Sequence, residues 1–164
     1  MKYLSVSVKS KALVLGTVCL ILSAAFPAWA ALGGDITSVQ SDELRMQGAI
    51  RTTTKGSYAV HEIQSPAGTV VREYVASTGD SAGKVFAVAW QSPWPPDMRR
   101  LLGSYFGQYL QAAKAQSASR VGRRPVMIDQ PGLVVQIGGH PRSFTGRAYV
   151  PQMLPSDVRA EDIQ

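Results

Sequence analysis

The chain of 164 residues has little of the chemistry that marks an enzyme. It contains one cysteine, Cys19, and two histidines, His61 and His140. No Gly-x-Ser-x-Gly motif, phosphate-binding loop or dinucleotide-binding fingerprint occurs in it. The usual sequence signatures of serine hydrolases and of nucleotide-binding enzymes are therefore missing.

Strong charge is lacking as well, once the first 30 residues are set aside. The whole chain has a formal net charge of +6, but residues 1–30 hold three lysines and no acidic residue. Residues 31–164 carry 14 basic and 11 acidic side chains, a net charge of +3. This charge is too small to indicate a polyanion-binding protein, so we expect no nucleic-acid partner. A hydrophobic content of 45% excludes a wholly disordered chain, and the length indicates one domain.

The N-terminus has the three regions of a secretory signal peptide in the expected order. Lys2, Lys9 and Lys11 form a basic start, residues 12–26 form an apolar run, and Ala28-Trp29-Ala30 is a small-x-small cleavage site. The run is shorter than the roughly 20 residues that a membrane span needs. We predict cleavage after Ala30, which also removes Cys19. The mature domain, 31–164, is then free of cysteine, has no membrane span, and is located in the periplasm or secreted.

Two alternatives compete at the start of this domain. Residues 31–36 are expected to form a flexible lead. Thr37-Ser-Val-Gln40 fits a capping box and predicts a short helix over about 38–47. The alternation of apolar residues over 44–54 favours a strand instead. We favour the helix, followed by a strand from about Ile50.

Residues 57–64 and 69–77 are rich in β-branched and aromatic residues and predict a β-hairpin. Ser65-Pro-Ala-Gly68 between them fits a type I turn. Symmetric pairing about this turn would place His61 opposite Arg72. It would also put Glu62 and Glu73 together on one face, which we interpret as solvated.

A third strand is predicted over 84–91, before the prolines of Pro93-Trp-Pro-Pro96, and Asp97 is expected to cap a helix. Apolar residues at helical spacing predict one continuous amphipathic helix over 98–113: Met98, Leu101, Leu102, Tyr105, Phe106, Tyr109, Leu110 and Ala113. Residues 116–132 read as a loop, and the last two strands are expected at 133–137 and 144–150. The predicted class is α+β, with an antiparallel sheet of about five strands, three before the helix and two after it, and the helix on one face.

These segments resemble a family of exported bacterial proteins, the domain-of-unknown-function family numbered 2844. The matching pieces are Ala31-Leu-Gly-Gly34, Val60-His-Glu-Ile63, Gly68-Thr69, Val71-Arg-Glu-Tyr-Val75, Val85-Phe-Ala-Val-Ala-Trp90, Pro96-Asp97, Leu101-Leu-Gly103, Tyr105-Phe106, Gly138-Gly-His140 and Gly146-Arg-Ala-Tyr149. They are spread over nearly the whole mature chain. The resemblance implies a periplasmic or secreted protein of a Gram-negative bacterium, and it carries over no catalytic residue.

The turn Gly138-Gly-His-Pro-Arg142 is one candidate binding site. Successive glycines permit a nest of backbone N–H groups for an anion, and His140, Arg142 and the nearby Arg147 could add side-chain donors. The alternative is a plain hairpin turn that needs positive φ.

A second candidate lies around the start of the predicted helix. Arg99 and Arg100 oppose the helix dipole there, which sometimes marks an anion site, although neutralisation by Asp97 is the alternative. Trp94, among its prolines, could stack on a ligand or a partner, or it could close the edge of the core.

The sequence therefore favours an exported, non-catalytic domain that binds a partner protein or a small anionic ligand, or serves the cell envelope as an accessory. The alternative is a small periplasmic hydrolase using His140. The predicted binding residues are His140, Arg142, Arg147, Arg99, Arg100 and Trp94. We expect no cofactor and no metal ligand, since His61 and Glu62 are adjacent on a strand and face opposite sides. The oligomeric state does not follow from the sequence.

Cleavage after Ala30 can be tested directly. Intact-mass spectrometry of the exported protein should give a chain that begins Ala31-Leu-Gly33, because Ala28 and Ala30 are the small residues that signal peptidase accepts. Retention of residues 1–30 in the membrane fraction would contradict the prediction.

Overall fold

The computed structural model describes residues 32–117 and 125–164. The predicted signal peptide and its predicted cleavage site lie outside the described residues. Three α-helices and seven strands follow one another in the order α1 (Ile36–Met46), β1 (Ala49–Lys55), β2 (Tyr58–Gln64), β3 (Val70–Ala76), β4 (Val85–Ser92), α2 (Met98–Leu102), α3 (Phe106–Ser117), β5 (Val126–Gln130), β6 (Leu133–His140) and β7 (Ser143–Tyr149).

All seven strands belong to one antiparallel sheet, in the order β1-β2-β3-β4-β7-β6-β5. The first four strands form one meander and the last three form another. The helical segment between them crosses over, so that β7 returns to pair with β4. The α+β class and the antiparallel sheet are confirmed. The count of about five strands is wrong, because β1 and β5 extend the sheet at its two edges.

Strand β5 lies within the stretch 116–132 that its prolines and glycines suggested was a loop. The register pairs Gln130 with Leu133, so Pro131 and Gly132 are a two-residue hairpin turn between β5 and β6. Pro125 directly precedes the strand. The three residues therefore mark the ends of a strand, where proline does not interrupt the ladder. Residues 118–124 lie outside the described part of the chain.

The short N-terminal helix is confirmed, but its cap is Asp35 and not Thr37. The Asp35 side chain accepts hydrogen bonds from the backbone N–H groups of Thr37 and Ser38. The preceding residues differ from the flexible lead that we expected: Leu32 is buried, and the backbone of Gly33 and Gly34 pairs with Val85. Helix α1 is thereby held next to the start of β4.

The helical segment after β4 is interrupted at Gly103. The continuous helix predicted over 98–113 is instead α2, a 3-10 turn at Gly103–Tyr105, and α3. Gly103 has φ +49° and ψ −120°, a conformation outside the helical region that glycine adopts without a Cβ clash. Asp97 caps α2 as predicted, accepting hydrogen bonds from the backbone N–H groups of Arg99 and Arg100.

The β2–β3 hairpin is confirmed, but its register is one residue away from the predicted one. His61 lies opposite Glu73, and Glu62 lies opposite Arg72. Gly68, the last residue of the turn at 65–68, has a φ of +83°. Ser65 and Thr69 form the hydrogen-bonded pair that closes the hairpin loop. A three-residue loop with a left-handed glycine of this kind shifts the register by one residue, which moves every side chain of β3 to the other face. Glu62 and Glu73 therefore face opposite sides of the sheet.

Each face of the sheet is covered by a different part of the chain. Helices α1, α2 and α3 pack on one face, in a core that contains Val39, Leu102 and Trp90. Residues 151–164, which we call the C-terminal segment, pack on the other face. Val158 and Ile163 of this segment join a smaller core with Phe86. Strand β4 lies between the two cores, and its residues from Val85 to Trp90 are all buried.

Gly146 tests how tightly β4 and β7 are packed. A Cβ added there would lie 2.3 Å from Cζ2 of Trp90, whereas nothing lies within 4 Å of a Cβ added at Gly138. We expect Gly146→Ala to lower the free energy of unfolding by roughly 1–3 kcal/mol, the usual cost of overpacking a core. Chemical denaturation of the purified domain measures it.

Gly138→Ala is the matched control, because it lies in the same hairpin with an unrestricted side-chain position and no positive φ. We expect its free energy of unfolding to stay within about 0.5 kcal/mol of the wild type. Equal stability of the two variants would contradict the packing of Trp90 on Gly146.

Candidate functional site

A cleft with a volume of about 340 Å³ opens where α1, the β2–β3 loop and the proline-rich loop before α2 meet. We call it the Trp94 cleft. Trp90, Val71 and Leu101 belong to its lining, and its polar and aromatic rim is formed by Asp42 and Arg45 of α1, Ser65 and Thr69 of the β2–β3 loop, and Trp94, Asp97 and Arg100.

Hydroxyl groups hold the loop that carries Trp94. The buried Ser92 Oγ lies 2.9 Å from Thr69 Oγ1 and accepts a hydrogen bond of 3.2 Å from the backbone N–H of Trp94. The backbone at Trp94 is thus tied to the end of β4, while its side chain remains 63% exposed. Because the loop is anchored, a ligand could bind the exposed indole with little rearrangement of the backbone.

Two arginines line the cleft, and each forms an ion pair with an aspartate. Arg100 Nε lies 3.2 Å from Asp97 Oδ2, while the other oxygen of Asp97 caps α2. Arg45 Nη1 lies 3.7 Å from Asp42 Oδ1, a long ion pair. A guanidinium has five N–H donors, so one carboxylate leaves donors available on each arginine. The neutralisation by Asp97 that the sequence suggested is present.

Asp42 connects this cleft with the interior of the domain. It is buried on the sheet side of α1. Burial raises the pKa of its carboxyl group to about 6, against the opposing influence of Arg45 and Arg100. A carboxyl group with such a pKa changes its charge in mildly acidic solution.

Glu73 lies deeper still, on β3 and beneath the helices. Its exposed fraction is 1%, and its Oε2 has no hydrogen-bond partner among the residues that the structure describes. Burial, together with the negative charge of Asp42, raises the pKa of Glu73 to about 8, so its carboxyl group is mostly protonated at neutral pH. His61 is opposite it on β2; burial lowers the pKa of this histidine, and its Nδ1 lies 2.9 Å from Thr52 Oγ1.

Sequence reasoning missed this buried polar group, which consists of Asp42, His61 and Glu73. The incorrect hairpin register had placed Glu73 on a solvated face. A signal was available, since glycine as the last residue of Pro66-Ala-Gly68 fits a three-residue hairpin loop that ends in the left-handed conformation.

The structure divides the six sequence-predicted binding residues among four places. Trp94 and Arg100 share the Trp94 cleft. Arg99, although adjacent in sequence, lies over the ring of Phe106 with its Cζ 4.5 Å from the ring centroid. Arg147 is on the opposite side of the sheet from the helices, where its guanidinium donates to Gln136 Oε1 at 2.8 Å and to the carbonyls of Ala160 and Ile163. It thereby binds the C-terminal segment to the sheet.

His140 and Arg142 remain together at the exposed tip of the β6–β7 hairpin. The turn consists of Pro141 and Arg142, and Arg142 has a φ of +71°, which is uncommon for a residue with a side chain. Gly139 has a φ of +106°, whereas Gly138 has no positive φ. His140 Nδ1 lies 3.1 Å from the carbonyl oxygen of Pro141. Both side chains are exposed, and Arg147 lies elsewhere, against the C-terminal segment.

Two kinds of feature are absent from the described residues. Residues 32–117 and 125–164 contain no group of three or more His, Cys, Asp or Glu side chains that could hold a metal ion. No helix in the same ranges is both long and apolar enough to cross a membrane.

Comparison with protein-family models shows which family the chain belongs to. The family model described as "Protein of unknown function (DUF2844)" matches residues 28–163. The chain belongs to the DUF2844 family. This membership confirms the resemblance stated above, and the matched region includes every strand and helix of the DUF2844 domain described here. No curated protein and no solved structure matches the chain.

The protonated Glu73 makes the stability of the domain depend on pH. Its pKa rises from an ordinary value of 4.5 to about 8 on folding, and that of Asp42 rises from 3.8 to about 6. The folded state thus binds more protons than the unfolded state between about pH 4 and 8. The stabilisation that comes from this proton uptake is fully present below the pKa values of the unfolded state. It is lost as the pH rises through the pKa values of the folded state. We expect the melting temperature to fall over this range.

Glu73→Gln should reduce that fall, because an amide resembles the protonated carboxyl and does not ionise. We expect the variant to melt near the wild type at pH 4 and above it at pH 8, as measured by circular dichroism. Glu161→Gln, at an exposed position, is the control and should follow the wild type throughout. A Glu73→Gln curve parallel to that of the wild type would show that Glu73 does not hold the proton.

Proposed function

We propose that this DUF2844 chain is an exported, non-catalytic binding domain and that the Trp94 cleft is its ligand site. The proposal for export rests on the N-terminal segment, with its basic start, its short apolar run and Ala28-Trp-Ala30. The domain would then work in the periplasm or outside the cell, where a stable fold without disulfides has to rely on its two cores.

The observation that carries the proposal is the exposed indole of Trp94 in a concave site that also contains two arginines. Trp94 is 63% exposed, which leaves a large apolar surface in solvent. Tryptophan and arginine are the residues most often found where binding energy is concentrated. Ligand sites are commonly concave, partly apolar, and equipped with a few polar groups that fix orientation, and the Trp94 cleft has all three properties.

The hydroxyl groups of the cleft support binding rather than catalysis. Ser65 Oγ accepts a hydrogen bond of 3.1 Å from the backbone N–H of Thr69, and the hydroxyls of Ser92 and Thr69 bond each other. None of these three serves as a nucleophile next to a histidine, because both histidines lie outside the lining of the cleft. Hydrolysis through His140 stays an alternative prediction from the sequence.

A ligand screen on the mature domain tests the proposal. We suggest a library of small sugars, carboxylates, phosphates and amino acids, observed by NMR at the indole N–H signals. Ligands of the cleft should shift the Trp94 signal, and Trp94→Ala should weaken their binding roughly tenfold or more, since an aromatic anchor of a binding site is worth at least about 1.4 kcal/mol. If the ligands bind the wild type and Trp94→Ala with equal affinity, the Trp94 cleft is not the ligand site.

Two further variants complete the experiment. Met127→Ala removes another exposed apolar side chain, 57% exposed on β5, and should leave binding unchanged. Arg142→Ala tests the tip of the β6–β7 hairpin. Loss of phosphate binding in this variant alone would show that the anion binds at the tip and not in the Trp94 cleft.

A further inference from the structure

We propose that the ligand of the Trp94 cleft is a hydroxylated ring acid, of the chemical class of a uronic acid sugar. This inference rests on the proposed function, and it adds the chemical class of the ligand. It is drawn from three kinds of group that the cleft brings together: an exposed aromatic face, guanidinium donors and carboxylate acceptors.

The aromatic face requires a ligand with a flat or shallow apolar side. Trp94 is followed in the chain by Pro95 and Pro96, and all three belong to the lining of the cleft. The C–H groups on one side of a saccharide ring form such an apolar surface. Packing of that surface on the indole removes apolar area from water on both partners.

The guanidinium groups favour a ligand that carries an anionic group. Arg45 and Arg100 come from α1 and α2 and converge on one cleft, each with donors that its carboxylate neighbour does not use. A guanidinium matches the two oxygens of a carboxylate with two parallel hydrogen bonds, which a neutral sugar cannot supply.

The carboxylates decide between kinds of anion. Asp42 and Asp97 lie in the same cleft, and an ionised carboxylate only accepts hydrogen bonds. A simple aromatic acid would bring a negative charge towards them and offer no donor. A ring that carries hydroxyl groups beside its own carboxylate satisfies the acceptors and the guanidinium donors together. A sugar acid has this combination of groups on one ring.

The volume of the cleft limits the size of the ligand. At about 340 Å³ it is near the lower end of the range of roughly 300–1,000 Å³ that small-molecule sites span. The cleft therefore suits one ring, either a free monosaccharide or a single residue of a longer chain.

The experiment is a titration of the mature domain with D-glucuronate and D-galacturonate. Tryptophan fluorescence is a suitable signal, because Trp90 and Trp94, the two tryptophans of 31–164, both line the cleft. Glucose, benzoate and inorganic phosphate are the comparison ligands, since they lack the carboxylate, the hydroxyl groups and the ring respectively. We expect at least one uronate to bind ten times more tightly than all three.

Arg100→Gln and Arg99→Gln form a matched pair of variants. Both remove a guanidinium from the first turn of α2, but only Arg100 belongs to the cleft, whereas Arg99 lies over Phe106. We expect Arg100→Gln to weaken uronate binding at least tenfold and Arg99→Gln to change it less than twofold. Melting curves of both variants show whether any loss comes from unfolding.

The outcomes separate this inference from the proposed function. If other compounds of the library shift the Trp94 signal but the uronates do not, the ligand class is wrong and the binding site stands. Equal affinity for uronate and glucose, or for uronate and benzoate, also overturns the class. If no compound binds at Trp94, both proposals fail.

Discussion

The pairing of β4 with β7 joins two meanders that no short loop connects. Their residues are separated by the whole helical segment, and the register from Ala87–Tyr149 to Ser92–Phe144 holds them together. Trp90 packs directly over Gly146 at this seam, in a space that no larger residue could share. The Trp94 cleft depends on the same pair, because Trp90 lines it and Ser92 anchors its loop.

A carboxyl group in the core of such a sheet is unfavourable if it is charged, and the structure reduces that cost by raising its pKa. Glu73 keeps its proton at neutral pH because burial and the nearby Asp42 both disfavour ionisation. Asp42 also belongs to the lining of the Trp94 cleft. The ionisation of Asp42 therefore changes the charge of the cleft and also the pKa of Glu73 in the core.

Local sequence patterns located most elements but did not supply their pairing. Helix α1, the β2–β3 hairpin and the strands around Phe86, Val135 and Ala148 follow from residue spacing, and each lies within a few residues of its predicted position, although Asp35 and not Thr37 caps the helix. The register of the hairpin did not follow, since it depends on whether Gly68 belongs to the loop. That single choice decides whether Glu73 faces solvent or the helices. The sequence also predicted only part of the cleft. Trp94 and Arg100 stand out in the sequence, whereas Asp42 and Arg45 do not.

Composition and short-range spacing were enough to predict the α+β class and the β2–β3 and β6–β7 hairpins, and short matching segments indicated the family. The tertiary structure alone decided which of those residues meet. Arg99 and Arg100 are neighbours in the chain, yet one lies on Phe106 and the other in the cleft. Arg147 was assigned to the hairpin tip and instead holds the C-terminal segment. Contacts of this kind are formed between segments far apart in the chain, and their geometry is set by strand register and by the packing of helices on the sheet, which local patterns do not encode.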